Sequence, residues 1–406
     1  MSVGKNNFPD MPQIAGLRFG VVEAGIKYQN RKDLVLFEIC EGASVAGVFT
    51  KNAFCAAPVI VAKEHLQATP PRFLIVNTGN ANAGTGQEGM LNAQRMCSEL
   101  AACAGVNTKE VLPFSTGVIG EMLPIEKIVS AIPQALNNLS SSTLKDVALG
   151  IMTTDTRPKG ALRQFTYEGR TYTLAGVSKG AGMIKPNMAT MLGFIATDIK
   201  IEQNLLQTLL HAVTEKSFNR ITIDSDTSTN DACILIATGM AENEIITNQD
   251  SGLGKLFVDE LTLIMQELAQ AIIRDGEGAT KFVEIIVDEA GSLKEALNMA
   301  FDIAHSPLVK TALFASDPNW GRILAVVGRA DIVNLDVSKV QLFINDVHIV
   351  HNGARAETYT EELGQQAMTP EEIRLKVSLG RGDCRERVWT TDLSHEYVSI
   401  NADYRS

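Results

Sequence analysis

The stretch Lys179-Gly-Ala-Gly-Met-Ile-Lys-Pro-Asn-Met-Ala-Thr190-Met-Leu-Gly-Phe194 decides how this chain is read. A cationic, glycine-rich loop runs into Pro186-Asn187. Ala189-Thr190 then opens an apolar run of Met191, Leu192, Phe194 and Ile195. The pattern holds one threonine at the mouth of a core strand. A threonine hydroxyl is a weak nucleophile unless a base stands beside it. One economical base is its own α-amine, which exists only once the Ala189–Thr190 bond is cut. Such an amine titrates at roughly 7.7–8.0, so a useful fraction is neutral near pH 7. The same hydroxyl can make the cut, by attacking the preceding carbonyl in an N-to-O acyl shift that water completes. The alternative is a buried strand threonine satisfied by a backbone carbonyl, and the stretch alone does not choose between them.

Six further blocks lie around it: Asn77-Thr-Gly-Asn-Ala-Asn-Ala-Gly84, Ser115-Thr-Gly117, Thr153-Thr-Asp-Thr156, Asp224-Ser-Asp-Thr-Ser-Thr-Asn-Asp231, Asp275-Gly-Glu-Gly-Ala-Thr-Lys281 and Ser316-Asp-Pro-Asn-Trp-Gly-Arg322. With the 179–194 stretch, and in this order, they resemble the ornithine acetyltransferase family, also called the glutamate N-acetyltransferases of arginine biosynthesis. The likeness spans almost the whole chain. It implies a mixed α/β protein: a layered α-β-β-α sandwich like that of self-processing N-terminal-nucleophile enzymes, with a smaller α+β C-terminal domain. It also implies self-cleavage between Ala189 and Thr190. The acetyl group of N2-acetylornithine would then pass to Thr190 and on to glutamate in a ping-pong reaction. No cofactor is implied, although some members also accept acetyl-CoA as a donor.

The same resemblance assigns residues. Thr116 and Gly117 would form the oxyanion hole, and Ser115-Thr116-Gly117 does offer a hydroxyl and an N–H unobstructed by a Cβ. Losing one such donor typically costs ~10²–10³ in rate. Thr153, Lys179, Thr190, Glu277, Asn401 and Ser406 would contact substrate. Lys179 suits a carboxylate as a point charge, and Glu277, between two glycines, suits an ammonium or amide. A functional chain terminus must be docked on the core, because free ends fray. With water as final acceptor, the same chemistry would make an amidase or aminopeptidase.

Composition narrows the field. The 406 residues are 45% hydrophobic and 20% charged, ordinary for a globular protein. A net charge of −11, with no basic run, argues against a nucleic-acid partner. No segment reaches the ~18 apolar residues of a membrane span, and the first residues lack a signal peptide's apolar core. Six scattered cysteines without C-x-x-C spacing suit a reducing compartment, so a cytoplasmic location is expected. The resemblance implies a heterotetramer of two α and two β pieces. His348 and His351 are expected on opposite faces of one strand spanning 340–350 and not as metal ligands. Asp224–Asp231 starts like a calcium loop but lacks the glycine and distal glutamate. It reads instead as a hydrogen-bonded wall. The 77–86 loop lacks a P-loop's Gly-Lys-Ser/Thr ending.

Locally, Phe73–Val76 reads as a strand, and Met90 to Ala104 as an amphipathic helix. A helix starting near 125 should kink or end at Pro133. Phe257 to Ile272 has the clearest helical face, closed by a cap at Gly276, and a strand follows over 281–288. The expected divisions are 1–189, 190–295 completing the catalytic core, and a C-terminal domain at 296–406 whose tail reaches the active site.

Overall fold

The computed structural model describes residues 2–5, 8–185 and 191–403. The core elements are β1 (Leu17–Val22), β2 (Leu34–Ile39), β3 (Ser44–Phe49), α1 (Ala57–Ala68), β4 (Phe73–Asn80), α2 (Gly86–Ala104), β5 (Val111–Val118), α3 (Ile125–Asn137) and α4 (Leu144–Gly150). They continue as β6 (Lys159–Tyr167), β7 (Arg170–Lys179), β8 (Leu192–Thr197), α5 (Gln203–Thr214), β9 (Ala232–Ala237) and α6 (Gly252–Arg274). The C-terminal unit holds β10 (Phe282–Ala290), α7 (Leu293–Ala304), α8 (Pro307–Phe314), α9 (Trp320–Arg329), β11 (Gln341–Ile344), β12 (Val347–His351) and β13 (Ala354–Arg355). It ends with α10 (Glu361–Met368), β14 (Glu372–Ser378), β15 (Cys384–Thr391) and α11 (His395–Ala402).

Two sheets, ordered β1-β2-β4-β5 and β3-β9-β8-β7-β6, lie face to face. Successive side chains of a strand point to opposite faces, and here both faces are buried. On β2, Val35, Phe37 and Ile39 enter the inter-sheet core, while Leu34 and Leu36 meet the helices. On β8, Phe194 faces inward and Ile195 outward. Strands buried on both sides read as continuous apolar runs, as these do. Phe194 joins Phe37 (4.8 Å between ring centres) and Phe114 (5.4 Å) at the middle of the sandwich. Helices α1–α3 cover the first sheet, and α5 and α6 cover the second. The expected α-β-β-α layering is therefore present.

The C-terminal unit is a six-stranded sheet, β13-β12-β11-β14-β10-β15, with its own core shared by α7 to α10. Its first strand is β10, whose Val283, Ile285 and Val287 already belong to that core, so the unit begins before the division expected at 295/296. Trp389 of β15 reaches back into the core beneath the second sheet.

Four local expectations need correction. Helix α3 runs through Pro133 to Asn137. Pro133 faces solvent, while Ile128, Ile132 and Ala135 are packed, and that burial outlasts the lost backbone bond. The strand at 73 continues through its polar end to Asn80 and pairs in parallel with β5. Gly276 has no positive φ. Its lack of a Cβ serves close packing, since one there would stand 2.9 Å from the Thr391 methyl. Finally, 340–350 is a hairpin with a register shift, not one strand. The bulge buries the consecutive Ile349 and Val350 and turns both imidazoles to one side, where His348 Nε2 and His351 Nδ1 each lie 3.0 Å from Gln341 Oε1.

Candidate active site

The parallel pair β4–β5, the end of β7 and the turn after α6 meet at one end of the sandwich. Between them is a cavity of about 270 Å³ lined by Thr116, Gly117, Thr153, Lys179, Glu277 and Asn401, together with Asn230. All six described residues expected to act on substrate thus border one space. Ala189, Thr190 and Ser406 lie outside the described residues.

Thr116 and Gly117 lie near the end of β5, opposite Thr78 and Gly79 of β4. Gly117 has φ +138°, and a Cβ there would fall 2.3 Å from the Gly79 carbonyl carbon. No other residue fits without parting the strands. Lys179, the last residue of β7, donates from Nζ to Thr116 Oγ1 at 3.2 Å. That leaves the threonine O–H to be donated into the cavity it lines. Burial pushes the Lys179 pKa below its ordinary 10.5, opposed by the charge of Asp155 and, more weakly, by Asp231 and Glu277.

Glu277 is anchored by its amide N–H, which donates to the Ala181 carbonyl at 2.8 Å. Its carboxylate rests on Gly182, where a Cβ would approach within 2.4 Å. Asn401 Nδ2 donates to Glu277 Oε2 at 2.8 Å, so the end of α11 is drawn over the cavity. The N-terminal part of α11 is fixed at Gly278 (φ +67°), where any Cβ would meet the Tyr397 amide at 2.5 Å. Tyr397 Oη donates to Asp224 Oδ2 at 3.1 Å.

Beneath the cavity lies a charge network that the sequence reading did not identify. Lys159 Nζ, buried, donates to Asp155 Oδ1 at 2.5 Å and Asp275 Oδ2 at 2.6 Å. Asp155 also accepts from the amides of Thr153 (2.9 Å) and Gly180 (2.8 Å), and Asp275 from the amide and hydroxyl of Thr156. Burial alone would raise the Asp155 pKa, but Lys159 and Lys179 outweigh it and hold this carboxyl well below the usual range. The three charges bind the 153–156 loop, the glycine turn after Lys179 and the turn carrying Glu277 into one piece. Asp155 and Asp275 sit inside two of the sequence blocks, which was the available signal; Lys159 had none.

The 224–231 block is the wall beside this site. Asp224 accepts from the amides of Met183 (2.6 Å) and Ile184 (2.8 Å), and Asn230 Nδ2 donates to the carbonyls of Ala81 and Ser115. The 316–322 block lies elsewhere, with Asn319 capping α9.

Residues 18–406 match the model of the ArgJ family. The chain belongs to the ArgJ family. Its similarity to the arginine biosynthesis bifunctional protein ArgJ of Pseudomonas syringae pv. tomato is 57% identity, with all of both chains covered. The corresponding ArgJ protein of Pseudomonas fluorescens is 55% identical over the same extent. Among solved structures, the arginine biosynthesis bifunctional protein ArgJ of Bacillus halodurans matches with 38% identity and a TM-score of 0.50. That match covers 52% of this chain and 99% of the solved one. The cavity therefore belongs to an ArgJ-family α-β-β-α fold.

Proposed function

We propose that this chain is a self-cleaving N-acetyltransferase of arginine biosynthesis, moving the acetyl group of N2-acetylornithine to glutamate. The observation that carries the reading is the convergence of a hydroxyl and glycine backbone (Thr116, Gly117), a buried cation (Lys179) and a carboxylate (Glu277) on one cavity. A fixed cation and anion suit the two charged ends of an amino-acid frame, which both substrates share. Thr190, freed by cleavage after Ala189, takes the acetyl group with its own α-amine as base. The Thr116 hydroxyl, held by Lys179, and the Gly117 backbone meet the oxyanion of the tetrahedral intermediate. Ornithine leaves, glutamate enters the same cavity, and its α-amine removes the acetyl group. Because that amine must outcompete water, the covering helix α11 is part of the machinery. Thr153, Asn401 and Ser406 complete the contacts to substrate.

The reaction as written needs no resident cofactor; acetyl-CoA enters only as an alternative donor. The working assembly is a cytoplasmic heterotetramer of two α and two β pieces. Mass measurement of purified protein tests the central claim. It should give pieces 1–189 and 190–406, the second beginning Thr-Met-Leu, and Thr190→Ala should abolish both cleavage and transfer. Full-rate transfer by an uncleaved chain would overturn the proposal, and net peptide hydrolysis without transfer would favour the amidase alternative.

A further inference from the structure

A second cavity of about 160 Å³ adjoins the first, and Gly117, Val118, Thr153 and Thr154 line both. Its far side is the loop between β1 and β2, from which Lys27, Tyr28 and Arg31 line it. That loop is folded around buried Asp33, whose carboxylate accepts from the amides of Ala24 and Ile26 at 2.6 Å each. Asp33 is thereby committed to its own backbone. Lys27 is packed against Gly79, where a Cβ would stand 2.9 Å from the lysine Cβ. Its ammonium lies 5.3 Å from the centre of the Tyr28 ring. Arg31 Nη2 donates to the carbonyls of Met152 (2.7 Å) and Thr153 (2.9 Å), and its guanidinium lies 6.0 Å from the same ring. Two cations, positioned by an aromatic ring and by backbone, thus line the same space as Gly117, with Asp403 of the C-terminal segment also bordering it.

We propose that this second cavity is the side-chain subsite of the acyl acceptor, where Lys27 and Arg31 receive the distal carboxylate of a dicarboxylic amino acid. The inference rests on the acyl-transfer reading above and specifies how its acceptor is selected. Position favours one of two anionic occupants. Gly117 and Thr153 line both spaces, so a carboxyethyl arm extends directly from an amino acid seated in the first toward Lys27 and Arg31. The phosphates of a thioester carrier are the competing outcome of the test. A donor with a cationic arm gains nothing from Lys27, so the two half-reactions should respond differently to its charge.

The test compares Lys27→Met, Lys27→Glu and Lys27→Arg in the full-length, self-processed protein. Arg31 is left alone because it also holds the Thr153 backbone. Steady-state KM is measured for glutamate, N2-acetylornithine and acetyl-CoA, and glutamate binding by calorimetry. Lys27→Glu should raise the KM for glutamate tenfold or more relative to that for acetylornithine and weaken calorimetric binding in parallel, and Lys27→Arg should restore both. Unchanged KM ratios, or equal losses for donor and acceptor, would overturn the proposal. A loss confined to acetyl-CoA would overturn it too, by assigning the cations to a carrier phosphate. If wild-type protein transfers no acetyl group but binds glutamate in a Lys27-dependent way, the subsite stands and the acyl-transfer reading falls.

Discussion

Lys179 reaches the cavity from the end of β7, and its hydrogen bond to Thr116 Oγ1 decides where that hydroxyl points. Lys179→Met keeps most of the packed stem but removes the donor. A fall in kcat of ~10²–10³ is expected, as for loss of an oxyanion-hole group, with the fold retained by circular dichroism. Gly117→Ala acts through backbone instead, since the added methyl collides with Gly79. Activity should vanish and the melting temperature should fall. Lys310 gives a residue-scale prediction remote from the cavity. Burial pushes its pKa down to about 8, against the opposing charge of Asp392 and Asp224. Unfolded, a lysine keeps its proton to roughly pH 10.4. Between these values the unfolded state binds more protons, so stability rises with pH. Denaturant unfolding of wild type should gain roughly 3 kcal/mol over Lys310→Met between pH 7.5 and 10.5. A flat difference would mean that the buried amine stays charged.

Among the α-helices, α11 stands apart because none of its residues is buried. Its seat depends on polar ties: the Ser394 cap, Tyr397 to Asp224, and Asn401 to Glu277. Amide hydrogen exchange should therefore be fast in α11 and slow in α6, which has an unbroken buried face. Tyr397→Phe removes one hydrogen bond to a charged group, a loss of roughly 1.5–3 kcal/mol in docking. Faster exchange confined to α11 and a higher KM are expected, with little change in global unfolding. The same contrast explains what was legible in the sequence. Helix α6 announced itself through Phe257, Leu261, Ile264, Leu268 and Ile272, a period that only a helix satisfies. The 340–350 hairpin did not, because a two-residue turn at Asn345-Asp346 and a bulge leave the apolar alternation nearly intact. The polar end of β4 looked like loop because the Asn77 and Asn80 side chains find partners inside the fold.

On the scale of the whole molecule, stability and function meet in the Asp155–Lys159–Asp275 network, which joins β6, the end of α6 and the turns around the cavity. Removing one member of a buried ion cluster strands the others, typically costing about 3–5 kcal/mol. Lys159→Met should lower the unfolding free energy in denaturant titration by that order and disturb activity without touching substrate. The glycine- and threonine-rich loops that border the cavity could be picked out from sequence, since their residue types have few uses in a core. Lys159, Lys27 and Arg31 could not. Their partners lie on segments far away along the chain, and no local period encodes such pairing.

Strand β8 lies between β7 and β9 in the second sheet, with Phe194 locked among Phe37 and Phe114. If the chain is severed ahead of this strand, what had been one molecule folding on itself becomes two that must find each other. Processed enzyme should then melt at a temperature that climbs with concentration and fail to retrace its curve on cooling. The Thr190→Ala precursor should renature as a single chain at any dilution.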